Sequence, residues 1–119
     1  MPSVRKSVSI LATVLFATPL VWAHARPKVM IPAADSAGPA PSKITVTFSE
    51  PVEPKFSSLT VTDEKGAPIS KEHSLGEEKD PKTLTLATPS LAPGGYLVHW
   101  VSVAPDGHRM EGEYKFTVK

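Results

Sequence analysis

Three residues of this sequence pair metal-ligand chemistry with usable placement: His24, Asp106 and His108. His24 follows Val21-Trp22-Ala23, where the small or apolar Val21 and Ala23 fit the context of a signal-peptide cleavage site. If the chain is cut after Ala23, His24 becomes its first residue and offers two nitrogen donors, the α-amine and the imidazole. The free α-amine has a pKa of about 7.7–8.0, so a strongly competing ion can take it near neutral pH, with release of protons. Cu(II) heads the divalent affinity series and favours nitrogen and oxygen donors in tetragonal geometry. Asp106-Gly107-His108 can supply two more donors. At i and i+2 on a strand these side chains would diverge, but Gly107 lets the backbone turn, and in a turn they converge. Alone, such a turn is more often a solvated one closed by an Asx-type hydrogen bond. Its coincidence with a histidine at the cleavage point makes it a candidate Cu(II) site.

The other histidines are read as structural. His73 lies among Lys71, Glu72, Glu77 and Glu78 in a charged, solvated stretch, and His99 falls on the strand face opposite Tyr96, Val98 and Trp100. The absence of cysteine excludes disulfide staples and thiolate metal sites, so a metal must be held by His, carboxylate, amine or Met.

These residues need elements to position them. Residues 1–23 read as a signal peptide, with a basic start carrying Arg5 and Lys6 and an apolar run from Val8 to Val21. That run falls short of the ~20 residues a spanning helix needs. Residues 24–119 are then a single exported domain. Without Arg5 and Lys6 the 13 Lys+Arg become 11 against 12 Asp+Glu, a formal net charge of −1, which argues against a nucleic-acid or anionic-membrane partner. The Pro- and Ala-rich start predicts an extended edge segment near 28–31 and a turn at 35–38. Period-two alternation marks strands at Ile44/Val46/Phe48, Leu59/Val61, Leu84/Leu86, Tyr96/Val98/Trp100 and Tyr114/Phe116/Val118. The segment Ser49–Phe56 is broken by Pro51 and Pro54, 63–66 and 92–95 are turns, and Ser70–Pro81 reads as a solvated loop. About seven short strands without a helix predict an all-β Greek-key barrel or sandwich. Its first strand is expected to run beside the last ones, bringing His24 to the Asp106–His108 turn.

Four stretches carry a resemblance to a known family: the start His24-Ala25, the block Ile44–Glu53 containing Phe48-Ser49-Glu50, the run Leu91–Trp100, and Val101–His108 followed by Gly112 and Phe116. Together they resemble the CopC family of periplasmic copper-binding proteins. The resemblance implies a cupredoxin-like or immunoglobulin-like Greek-key β-barrel and a Cu(II) site of His24, Asp106 and His108, with Glu50 as a nearby ligand or hydrogen-bond acceptor. It also implies a periplasmic carrier or buffer with an inner-membrane CopD-type copper permease as partner; the chain is expected to be a monomer and, with its site filled by strong donors, not an enzyme. In one respect the sequence departs from the family: some members carry a Met-rich Cu(I) loop, whereas after Ala23 this chain has only Met30 and Met110. Soft thioethers suit Cu(I), so the sequence predicts a Cu(II) site alone.

Two other functions compete. A terminal His with a second His also resembles the histidine brace of copper oxygenases. Against that reading, Asp106 would occupy a coordination position that oxygen needs, and no flat aromatic platform is evident. A structural β-sandwich module with an incidental His24 would bind no copper.

Overall fold

The structure is a computed structural model that describes residues 24–119 together with Thr13. The signal peptide expected over 1–23 lies, Thr13 apart, outside the described residues. The chain forms eight strands: β1 (Pro27–Ile31), β2 (Ala37–Gly38), β3 (Lys43–Phe48), β4 (Ser58–Asp63), β5 (Leu75–Glu77), β6 (Asp80–Ala87), β7 (Gly94–Val103) and β8 (Arg109–Val118). They make two four-stranded sheets, ordered β1-β3-β6-β5 and β2-β8-β7-β4. Each alternating stretch of the sequence is a strand, because its apolar parity fills one face. In β3, Ile44, Val46 and Phe48 are fully buried, and in β4 so are Leu59 and Val61.

One core lies between the sheets, with Leu84 and Leu86 of β6 facing Val98 of β7 and Phe116 of β8 within it. Aromatic pairs fix its two ends. Phe48 meets Trp100 edge-on at 5.8 Å between ring centroids, and Tyr96 stacks on Phe116 at 5.5 Å. Such rings supply much of the buried area in a small domain.

Three expectations need correction. The stretch Ser70–Pro81 is not only a loop, since Leu75–Glu77 forms an edge strand on β6 and β6 itself begins at Asp80. Its sequence shows no alternation because Leu75 is exposed and the half-buried position between Leu75 and Glu77, packed on Pro54, is the side-chain-less Gly76. Second, the turn expected at 35–38 runs into β2, which pairs in parallel with β8. Third, β1 does not run beside the last strands. It pairs antiparallel with β3 in the opposite sheet, so His24 approaches the β7–β8 turn from across the sandwich rather than along a shared sheet.

Candidate metal centre

The turn that carries Asp106 and His108 closes the longest hairpin. Strands β7 and β8 pair from Gly94↔Val118 to Val103↔Arg109. Gly107 N–H donates to the Ala104 carbonyl at 2.8 Å, Ala104 N–H donates to the His108 carbonyl at 2.9 Å, and Gly107 has φ +89°. This is a three-residue loop in which Pro105 enters the turn and glycine takes the left-handed position. Within it Asp106 embraces His108. One carboxylate oxygen lies 2.8 Å from His108 Nδ1 and the other accepts the His108 backbone N–H at 3.0 Å. That backbone bond first, and the ring contact second, hold the Asp106 carboxyl below its ordinary value of 3.8, with smaller help from the charges of His108 and His24 and a small opposing effect of burial. The contact makes Nδ1 the proton-bearing nitrogen of a neutral His108 and directs its ligand lone pair to Nε2.

His24 reaches this turn by way of two serines. Ser49, next after β3, donates its hydroxyl to the His24 carbonyl at 3.0 Å and accepts the Arg26 N–H at 3.1 Å. Ser102, fully buried in β7, donates to the carbonyl of the buried Ala25 at 2.6 Å. The segment entering β1 is thus tied to both sheets at once. His24 and His108 consequently stand with ring centroids 5.7 Å apart and planes at 82°, near enough for one ion to touch both. His24 Nδ1 is buried and has no hydrogen-bond partner. Burying an unsatisfied polar atom costs about 1–3 kcal/mol, so an open donor there points to a ligand that the protein alone does not supply.

The structure therefore brings His24, Asp106 and His108 to one end of the sandwich. It does not gather a ready cluster of three: no group of three or more His, Asp or Glu among the described residues is poised to hold a metal. The Asp106 carboxylate is folded onto His108, and the fourth donor expected from sequence, the α-amine, is not a side chain. Glu50 is half-buried beside Ser49, and no such cluster includes it. The remaining histidines sit elsewhere. His99 lies on the outer face between Glu111 at 3.4 Å and Glu113 at 3.6 Å, and His73 is exposed.

Sequence reasoning missed Ser49 and Ser102. A signal for Ser102 was available, because it continues the core-facing parity of Tyr96, Val98 and Trp100. A hydroxyl at such a position must find a buried acceptor.

Comparison with known proteins bears on the family and the fold. Residues 28–119 match the family model for the CopC domain. The chain is 42% identical over 119 residues to Protein YobA of Escherichia coli (strain K12), covering 98% of this chain and 95% of that protein. The crystal structure of CopC from Methylosinus trichosporium OB3b superposes with a TM-score of 0.76 at 34% identity, covering 81% of this chain and 94% of that one. The crystal structure of PcoC, a methionine-rich copper resistance protein from Escherichia coli, superposes with a TM-score of 0.70 at 39% identity, covering 82% of this chain and 100% of that one.

Proposed function

This chain belongs to the CopC family, and from that premise we propose that it is a periplasmic Cu(II)-binding protein that carries or buffers copper in homeostasis, resistance or uptake. In this reading residues 1–23 are removed as a signal peptide and His24 begins the working protein. The ligands are the α-amine and imidazole of His24, His108 through Nε2, and an oxygen of Asp106, with Glu50 as an outer acceptor.

The observation that carries the reading is the buried, unpartnered Nδ1 of His24. It is the imidazole nitrogen that closes a six-membered ring with the amine of the same residue, so the open atom is the one a terminal chelate requires. The donor set of nitrogens and carboxylate oxygen, without thiolate, fits Cu(II). With Met30 and Met110 as the only methionines after Met1, the chain offers no thioether cluster for Cu(I), and transfer between two oxidation-state sites is not part of its function. Four strong donors favour holding over turnover, so the protein acts without catalysis. It works as a monomer that hands copper to a CopD-type permease of the inner membrane.

The test is a competitive Cu(II) titration of the protein starting at His24, beside a version with one extra residue before it. The extra residue turns the amine into an amide and leaves both imidazoles. Its affinity should fall by more than the roughly 10–100-fold that follows loss of a supporting group around a metal. Equal affinities would sink the terminal-His site, and absence of binding in both would leave a structural module. Ascorbate-driven peroxide formation by the copper-loaded protein would instead favour the oxygenase reading.

A further inference from the structure

We infer that Ser49 and Ser102 are positioning residues that lock the two peptide planes after His24, so that copper is confined to terminal and side-chain donors and kept from the backbone amides. The inference rests on the copper reading above.

At the free end of a flexible peptide, Cu(II) does not stop at the amine. It takes the following amide nitrogens in turn, each bond forming as that amide gives its proton to water, because each closes another small chelate ring. This requires the peptide planes to rotate until their nitrogens point at the ion. Here both planes are held. The first comprises the His24 carbonyl and the Ala25 N–H, and its oxygen accepts the Ser49 hydroxyl at 3.0 Å. The second comprises the Ala25 carbonyl and the Arg26 N–H. Its oxygen accepts the Ser102 hydroxyl at 2.6 Å, and its N–H is given to Ser49 Oγ at 3.1 Å.

The lock is stiff for two reasons. Ser102 is fully buried and Ala25 is 2% exposed, so no water can replace their bond without opening the sandwich. The two serines also come from opposite sheets, Ser49 following β3 and Ser102 within β7. The Ser49 backbone N–H adds a bond to the Arg26 carbonyl at 2.8 Å, which continues the register into β1. With both carbonyls and the Arg26 N–H held, the planes cannot turn their nitrogens toward an ion, so His24 offers it only its amine and ring, and the remaining positions fall to the hairpin turn. An ion held by side chains of two elements can be released by a small separation of them. One wrapped by deprotonated amides would have to wait for those nitrogens to regain their protons.

The experiment follows the visible absorption and electron paramagnetic resonance of the Cu(II)-loaded protein starting at His24, from neutral pH to well above the amine range of about 7.7–8.0. The wild type should keep one spectrum throughout. Ser49→Ala and Ser102→Ala should instead move the visible band to shorter wavelength as pH rises, release one further proton per copper, and bind about tenfold more weakly at neutral pH. Ser49→Thr, which keeps the hydroxyl, should restore the wild-type behaviour. Amide exchange of the metal-free proteins gives a copper-independent arm: Arg26 N–H should be protected in the wild type and lose protection in Ser49→Ala, a half-buried position where the fold survives if Ser102→Ala does not. A wild type that takes up no Cu(II) overturns the copper reading and this inference with it. A wild type that binds, with serine variants matching its spectrum and pH profile, overturns the lock alone.

Discussion

Two buried side-chain atoms among the described residues lack a hydrogen-bond partner, His24 Nδ1 and the Tyr114 hydroxyl, and they call for opposite treatment. The histidine faces the turn of a proposed metal site, where its open atom has a use. Tyr114 sits in the core, 7% exposed as a residue, and burial alone raises its hydroxyl well above the usual tyrosine value. A neutral hydroxyl without an acceptor is a cost, so Tyr114→Phe should stabilise the protein by about 1 kcal/mol in urea unfolding while leaving copper uptake intact. Lower stability would show that the hydroxyl has a partner. Asp80 offers a second test on a single side chain. Its carboxylate accepts the Thr83 hydroxyl at 2.7 Å and the Lys82 N–H at 3.0 Å, and these bonds, in that order, lower its pKa below 3.8. A carboxylate lowered by folding contributes stability that is fully present above its unfolded value of about 3.9 and lost as pH falls through the folded value. Asp80→Asn should therefore be less stable than wild type near neutrality, and the gap should close in acid. A pH-independent gap would remove the carboxylate charge from the explanation.

At the scale of elements, the β7–β8 hairpin sets the geometry of half the candidate site, and two glycines define it. Gly107 stands at φ +89° in the turn. A side chain there costs about 1–2 kcal/mol, and because the strain falls between Asp106 and His108, Gly107→Ala should lower both thermal stability and Cu(II) affinity. Stability lost with affinity unchanged would uncouple the turn from the site. Gly112 pairs with Trp100, and a Cβ on it would lie 2.7 Å from the indole. Gly112→Ala should cost about 1–3 kcal/mol as the indole is displaced, and tryptophan fluorescence reports the displacement. The long hairpin was legible in the sequence because alternation at Tyr96/Val98/Trp100 and Tyr114/Phe116/Val118 states which face is buried, and Gly107 states where the chain turns. Strands β2 and β5 were not legible. With two and three residues and no apolar parity, they exist only through their partners β8 and β6. The ligand types at His24, Asp106 and His108 could be read from the chain, but the route that joins them could not. It runs through a Ser102–Ala25 bond spanning 77 residues, and a single serine announces no partner.

For the molecule as a whole, the two halves of the candidate site belong to different layers. His24 leads into β1 of one sheet, while Asp106 and His108 join β7 and β8 of the other. Without cysteine, no disulfide staples the sheets together, and apart from the chain's own connections cohesion rests on the shared core and a few bonds such as Ser102 to Ala25. An ion held by His24 and His108 would join the layers at one end. Because only the folded protein brings the two together, binding adds stability by mass action, about 2.7 kcal/mol at a free concentration one hundred times Kd. For a domain of this size each kcal/mol raises Tm by roughly 4–8 °C, so the protein starting at His24 should melt roughly 10–20 °C higher with Cu(II) than without it, by calorimetry at a buffered free-copper level. Removing either side of the bridge should abolish most of that rise. His108→Ala takes away the hairpin's imidazole, and one extra residue before His24 takes away the chelate on the other layer. The metal-free Tm values control for the fold, since His108 is only half-buried and its loss should move the metal-free Tm little. If His108→Ala kept the full copper-dependent rise, the metal would be held by the chain start alone, and the link between the sheets would be refuted even though copper binds.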